Sequence, residues 1–153
     1  MVVLRKPAPD DLPDLSALCL RSKAHWGYDE AFLKLCTDEL TLQPSELRTC
    51  DLIMAEAGAV ATGVAQLSHD AGVTFLEKLF VEPAYIGQGI GKALFRWATD
   101  TAEARGVAEI IVEADPDAVP FYTAMGCRAA GSVASASIPG RRIPRLIYTV
   151  LPG

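Results

Sequence analysis

Three glycines at alternate positions, Gly87, Gly89 and Gly91, followed at once by Lys92, are the residues best suited to chemistry. Glycine permits torsions that a Cβ forbids and lets a ligand come close to the main chain. If a helix starts here, its first amides have no partner within the helix, and the dipole behind them adds positive charge. Such a place binds an anion, phosphate above all. Spacing excludes two familiar phosphate loops. A Walker loop needs glycine five positions before its Gly-Lys pair and Ser or Thr after it, but Ile86 and Ala93 stand there. A dinucleotide fingerprint needs glycine three positions after Gly89, where Lys92 stands.

The neighbouring segments show what must hold this loop. Residues 2–5 make a short strand, ended by Pro7 and Pro9. Asp10 or Asp11 can cap a helix with Leu12, Leu15, Leu18 and Cys19 at helical spacing. A second helix carries Phe32, Leu33, Cys36 and Leu40, and Gln43-Pro44-Ser45 breaks it. Strand-length runs at 50–57, 60–68 and 73–81 are separated by Gly58-Ala59 and Asp70-Ala71-Gly72, which read as hairpin turns. A helix over 89–105 places Ile90, Ala93, Leu94, Trp97, Ala98 and Thr101 on one face, and Gly106 ends it. Residues 109–113 read as a buried strand and 116–125 as a short helix closed by Gly126. Two last strands, 127–137 and 144–151, flank a Pro139-Gly140-Arg141-Arg142 turn. The order β-α-α-β-β-β-α-β-α-β-β predicts one α/β domain over residues 1–153.

Composition narrows the partners. A net charge of −5 argues against nucleic acid, which needs a basic footprint. No apolar run is long enough to cross a bilayer, and the apolar start is too short for a signal peptide, so a cytoplasmic protein without membrane contact is expected. Cys19, Cys36, Cys50 and Cys127 have no metal or redox spacing, and His25 and His69 are far apart, so no metal is expected. Cys19 and Cys36 read as buried free thiols.

The segment Val81-x-Pro83 followed by Gly87-Gln88-Gly89-Ile90-Gly91-Lys92-Ala93-Leu94 resembles the acetyl-CoA loop of the GNAT acyltransferases. The match extends to Leu76-Glu77-Lys78-Leu79-Phe80-Val81 before the loop and to 118–126, with its Phe121-Tyr122 pair, after it. The resemblance implies the GNAT fold, a mixed, mostly antiparallel central sheet flanked by helices. It also implies acetyl-CoA as co-substrate, N-acetyl transfer as the activity, and a homodimer. Ile86 stands where Arg or Gln is usual, Asp115 where Asn is common, and Cys127 where Phe is usual. Backbone amides do not depend on the side chain at 86, so the cradle survives its replacement.

By that resemblance, main-chain groups of Leu79, Phe80 and Val81 serve the pantetheine arm. Residues Gly87, Gln88, Gly89, Ile90, Gly91 and Lys92 hold the pyrophosphate, Asp115 lies near the arm, and Tyr122 lies near the sulfur. An acceptor amine with pKa about 10 costs roughly 4 kcal/mol to deprotonate at pH 7, so a base is useful. Glu77 is the first candidate, on the expectation that it shares a strand face with Leu79. The alternative is a solvated glutamate paired with Lys78 or Arg96, and Asp115 is a second candidate base. Tyr122 can donate to a departing thiolate; the alternative is a core aromatic.

The family's acceptor pocket is commonly built from the first two helices and the last hairpin, here including Trp26, Tyr28, Arg141 and Arg142. Trp26 and Tyr28 beside Asp29 and Glu30 could hold a cation, or Trp26 could pack the helix junction while Asp29 caps the second helix. Arg141 and Arg142 either favour an acceptor carrying a carboxylate or phosphate or form a hairpin tip in water. The reading is N-acetylation of a primary amine on a small molecule by direct attack. Peptide Nα-acetylation and a non-catalytic acetyl-CoA sensor are the alternatives.

Overall fold

The computed structural model describes residues 2–150. Strand β1 (Val2–Arg5) leads to helices α1 (Leu12–Ala24), α2 (Glu30–Leu40) and the single turn α3 (Glu46–Thr49). Strands β2 (Asp51–Ala57), β3 (Val60–Asp70) and β4 (Val73–Val81) follow as a meander. Helix α4 (Ile90–Ala104), strand β5 (Glu109–Glu113), helix α5 (Val119–Ala124) and strands β6 (Arg128–Ala134) and β7 (Arg142–Thr149) complete the order. They form one seven-stranded sheet, β1-β2-β3-β4-β5-β7-β6, antiparallel except where β4 meets β5.

Strand alternation divides the core between two faces. Leu52, Met54 and Val64 face α1 and α2, packing with Leu15, Leu18, Cys19, Cys36 and Leu40. Ala55, Ala65 and Leu67 turn the other way, to α4. The buried stripe of α4 is Ile90, Leu94, Phe95, Ala98 and Ala102, so Phe95 and Ala102 join the face expected from the sequence. Phe95 is the hub of that face, touching Phe121, Tyr122 and Tyr148 with ring centroids 5.3–6.4 Å apart. Gly106 ends α4, with the Val107 amide reaching back to the Ala102 carbonyl at 2.9 Å.

Two expectations need correction. Asp11 occupies the cap position of α1, but its carboxylate is taken by Arg5 at 3.0 and 3.1 Å and by the Ala8 amide at 2.8 Å. The last hairpin is also wider than a four-residue turn. The Ser135 hydroxyl accepts from the amides of Ser137 and Ile138, which curls the chain and stops β6 at Ala134 rather than residue 137. Arg142 is then already in β7, paired with Ala134. Leu151, the expected end of this strand, lies outside the described residues.

Two irregularities make room for a site. Parallel pairing of β4 with β5 is confined to Thr74↔Ile110 and Phe75↔Ile111, and beyond it the strands separate. On the other side of β4, Gln66 pairs with Lys78 but Leu67 with Leu76, so Glu77 is the extra residue of a β-bulge. A bulge bends its strand and raises the local twist, carrying β4 away from β5.

Candidate active site

The loop after β4 is held by local backbone demands. Gly87 and Gly89 have φ of +88° and +82°, and Gly89 caps α4. The first bond of the helix runs from the Ala93 amide to the Gly89 carbonyl. Among the described residues, the amides of 87–92 make no backbone hydrogen bond. Gly87, Gly89, Ile90, Gly91 and Lys92 line one end of a cleft of about 440 Å³, with Ile86 beside them; Gln88 is exposed and lies outside that lining. Gly91 is small for a different reason, since a Cβ there would lie 3.2 Å from Cε1 of Phe121.

The cleft continues between the separated strands, with 76–81 of β4 on one wall and 112–115, the end of β5 and the two residues after it, on the other. Leu79, Phe80 and Val81 line it, and their edge has no strand partner on the β5 side. Such an edge offers main-chain donors and acceptors to an extended ligand. Tyr122 closes the wall. Burial, reinforced by the Asp115 charge, pushes its phenol well above the usual range, so it stays protonated at neutral pH. Its hydroxyl makes no hydrogen bond to another described residue. Burial likewise pushes the Cys127 thiol to about 11 and the Cys19 thiol to about 12, which keeps both unreactive.

A smaller cavity of about 90 Å³ lies on the α1/α2 side. It shares Glu77, Lys78, Phe80, Glu113 and Asp115 with the large cleft, so the two meet there. The bulge overturns the expectation that Glu77 shares a face with Leu79. Leu76 and Leu79 both pack toward α4, whereas Phe80 packs toward α1 and α2, and Glu77 and Lys78 join Phe80 in the smaller cavity. Glu77 borders the meeting point all the same, accepting a 2.6 Å hydrogen bond from the Ser68 hydroxyl.

Asp115 lines both cavities and is engaged by two cations. Its carboxylate is 3.2 Å from Lys23 Nζ and 3.5 Å from Arg141 Nη2, and the Tyr28 hydroxyl lies 3.5 Å away. Arg141 also donates to the Tyr28 oxygen at 3.0 Å. Tyr28 stacks on Phe32 with centroids 4.1 Å apart, and both cations lie over this pair. Trp26 stands 49% exposed on the rim of the large cleft, while Asp29 caps α2 through the Phe32 amide. Arg142 is not brought to either cavity. The first residue of β7, it donates instead to the hydroxyl and carbonyl of Ser132.

Sequence reasoning did not single out Lys23 or Lys78 as site residues. Lys23 is 8% exposed and lies one turn after Cys19, so a cation on the buried stripe of α1 was the available signal. Lys78 is equally buried and donates to Gln66 Oε1 at 2.9 Å; Gln66 in turn donates to Glu46.

The acetyltransferase (GNAT) domain model matches residues 17–137. The PaiA N-acetyltransferase of Thermoplasma acidophilum, solved in complex with coenzyme A, superposes with a TM-score of 0.83 at 19% identity, over 97% of this chain and 99% of that one. A ribosomal-protein alanine N-acetyltransferase of Escherichia coli gives a TM-score of 0.70 at 20% identity, over 96% and 91%. Glucosamine 6-phosphate N-acetyltransferase of Trypanosoma brucei brucei is 33% identical over 57 residues, 37% of this chain; the match spans 39% of that relative's length. The chain belongs to the GNAT acetyltransferase family. Its mixed, mostly antiparallel sheet flanked by helices is the fold of these neighbours. No helix among the described residues is long and apolar enough to cross a membrane.

Proposed function

We propose that this protein transfers an acetyl group from acetyl-CoA to the primary amine of a small molecule by direct attack. The observation that carries this reading is the meeting of two cavities at Glu77, Lys78 and Phe80, one ending at unpaired helix-start amides and the other opening on the α1/α2 side. The fit to acetyl-CoA rests on that amide fan and on the unpartnered edge of β4 beyond Phe75. Acetyl-CoA supplies the activated thioester; the chain supplies position and electrostatics.

The amides of 87–92 hold the pyrophosphate, with the α4 dipole behind them. The 79–81 edge aligns the pantetheine, and a main-chain amide beside Phe80 or Val81 polarises the carbonyl at the junction. The amine enters from the smaller cavity, and its proton goes to Glu77, to Asp115 or to water. Tyr122, kept protonated by burial, donates to the leaving thiolate. The name of the Trypanosoma relative, an amino-sugar phosphate acetyltransferase, is consistent with a small acceptor.

The test is release of free CoA thiol on a panel of amines and peptides. Turnover on small amines is the expected outcome. Acetyl-CoA binding without release on any acceptor would overturn the reading in favour of a sensor, and release on peptides alone would overturn the small-molecule assignment.

A further inference from the structure

The large cleft has a third wall with no part in the chemistry so far. Ser22, in the last turn of α1, and Trp26, just beyond it, both line the cleft. The chain is tied down on either side of Ser22. Arg21 donates to the carboxylate of Glu82, just after β4, at 2.7 Å. Lys23 reaches Asp115, which lines both cavities, at 3.2 Å. Ser22 is thereby held beside the end of β4, close to where the two cavities meet.

Its hydroxyl is out of keeping with its burial. Buried hydroxyls are normally hydrogen-bonded, and a helical serine can donate to the carbonyl four residues back. Ser16 of the same helix donates to the Leu12 carbonyl at 2.8 Å and accepts from the Leu42 amide at 2.9 Å. Ser22 is 8% exposed, yet its hydroxyl bonds to no other described residue. Nor is its oxygen sealed in. Among the described residues, the side-chain atoms fully buried without a partner are Thr62 Oγ1 and Arg145 Nε, and neither residue lines a cavity.

We propose that Ser22 is a catalytic residue, a second donor to the oxygen of the thioester carbonyl. In the transfer, the amine's lone pair forms the C–N bond while the carbonyl π pair moves onto oxygen. The main-chain amide beside Phe80 or Val81 is one donor to that oxyanion, and the Ser22 hydroxyl, committed to no other acceptor, is the other. Collapse restores the carbonyl and breaks the C–S bond. The thiolate takes a proton from Tyr122, which recovers one through solvent, and the amine's proton leaves to Glu77, Asp115 or water. Ser22 keeps its own proton throughout, so its contribution is electrostatic. This assignment rests on the transfer reaction proposed above, but the contact has a readout of its own.

The test is the infrared band of the thioester carbonyl, isotope-labelled in acetyl-CoA bound to the protein with no acceptor present. A hydrogen bond from Ser22 lowers that band, and Ser22→Ala should return it toward the value in the free cofactor. In turnover, Ser22→Ala should lower kcat about 10²-fold or more with the KM for acetyl-CoA little changed. Its Tm should hold or rise, because alanine is the better helix former and no structural bond is lost. A carbonyl band indifferent to Ser22→Ala would overturn the assignment, and so would a Tm lowered by several degrees, which would give the hydroxyl a structural partner. A raised KM for the amine at unchanged kcat would also overturn it, placing Ser22 on the acceptor. A Ser22-dependent band with no CoA release on any amine would uphold the contact and remove the transfer reaction instead.

Discussion

Gly91 and Phe121 touch across the start of α4: a Cβ on Gly91 would lie 3.2 Å from Cε1 and 3.4 Å from Cζ of the ring. The helix that carries the amide cradle is thus seated directly on the helix that carries Tyr122. Gly91→Val should cost about 1–3 kcal/mol through overpacking, read as a fall in Tm of several degrees. Adding Phe121→Leu should recover part of it, because the two changes share one space. Strict additivity in that double-mutant cycle would show that the contact is not the cause.

Tyr122→Phe should lower kcat by about 10²-fold or more while acetyl-CoA affinity changes little, since the lost hydroxyl acts on the leaving thiolate rather than in binding. Because burial keeps the phenol protonated, its titration should not appear in the pH-rate profile below about pH 10. Unchanged turnover would remove Tyr122 from the chemistry.

Glu77→Gln should reduce kcat/KM about 10²-fold for an acceptor amine of pKa near 10, and less for one near 8, which needs less help to lose its proton. Equal losses for both acceptors, or no loss, would move the base role elsewhere.

The β3–β4 hairpin turns on Ala71 and Gly72 between the paired residues Asp70 and Val73, with φ of +50° and +81°. Alanine is disfavoured at positive φ, where asparagine is tolerated. Ala71→Asn should stabilise the fold by about 0.5–1 kcal/mol, raising Tm by roughly 2 °C. A lower Tm would contradict the turn geometry.

Asp51 accepts from Arg105 at 2.6 Å and from His69 at 2.9 Å. Burial acts to raise its carboxyl, but these two bonds outweigh burial and hold it below the usual range. A depressed folded pKa contributes stability that is present above the unfolded value of about 3.9 and is lost as the pH falls through the folded value. Asp51→Asn should therefore flatten the fall in Tm between about pH 5 and pH 3. An unchanged acid limb would assign that loss to other carboxylates.

Features written in contiguous residues are legible in the sequence. The strands 2–5, 73–81 and 109–113 stand where alternation and turn residues place them, because each is a local backbone preference. The glycine loop is legible for the same reason, since Gly87 and Gly89 satisfy torsions within one turn. The orientation of Arg142 is not. Whether it or Arg141 faces the cavity depends on where β7 begins, which the hydrogen bonds of Ser135 decide.

The sequence by itself determined the order of the strands and longer helices, though not the single turn α3, together with the glycine turn that starts α4 and the Phe121-Tyr122 helix, all consequences of torsion and periodicity along a short stretch of chain. Only the tertiary structure decided which side of the sheet Glu77 faces, because a bulge is a mismatch in pairing with Gln66 and Leu67 on another strand. It alone brought Lys23 and Arg141 onto Asp115, from a helix, a hairpin and a strand end. No local rule links residues 92 positions apart; folding the helices onto the sheet does.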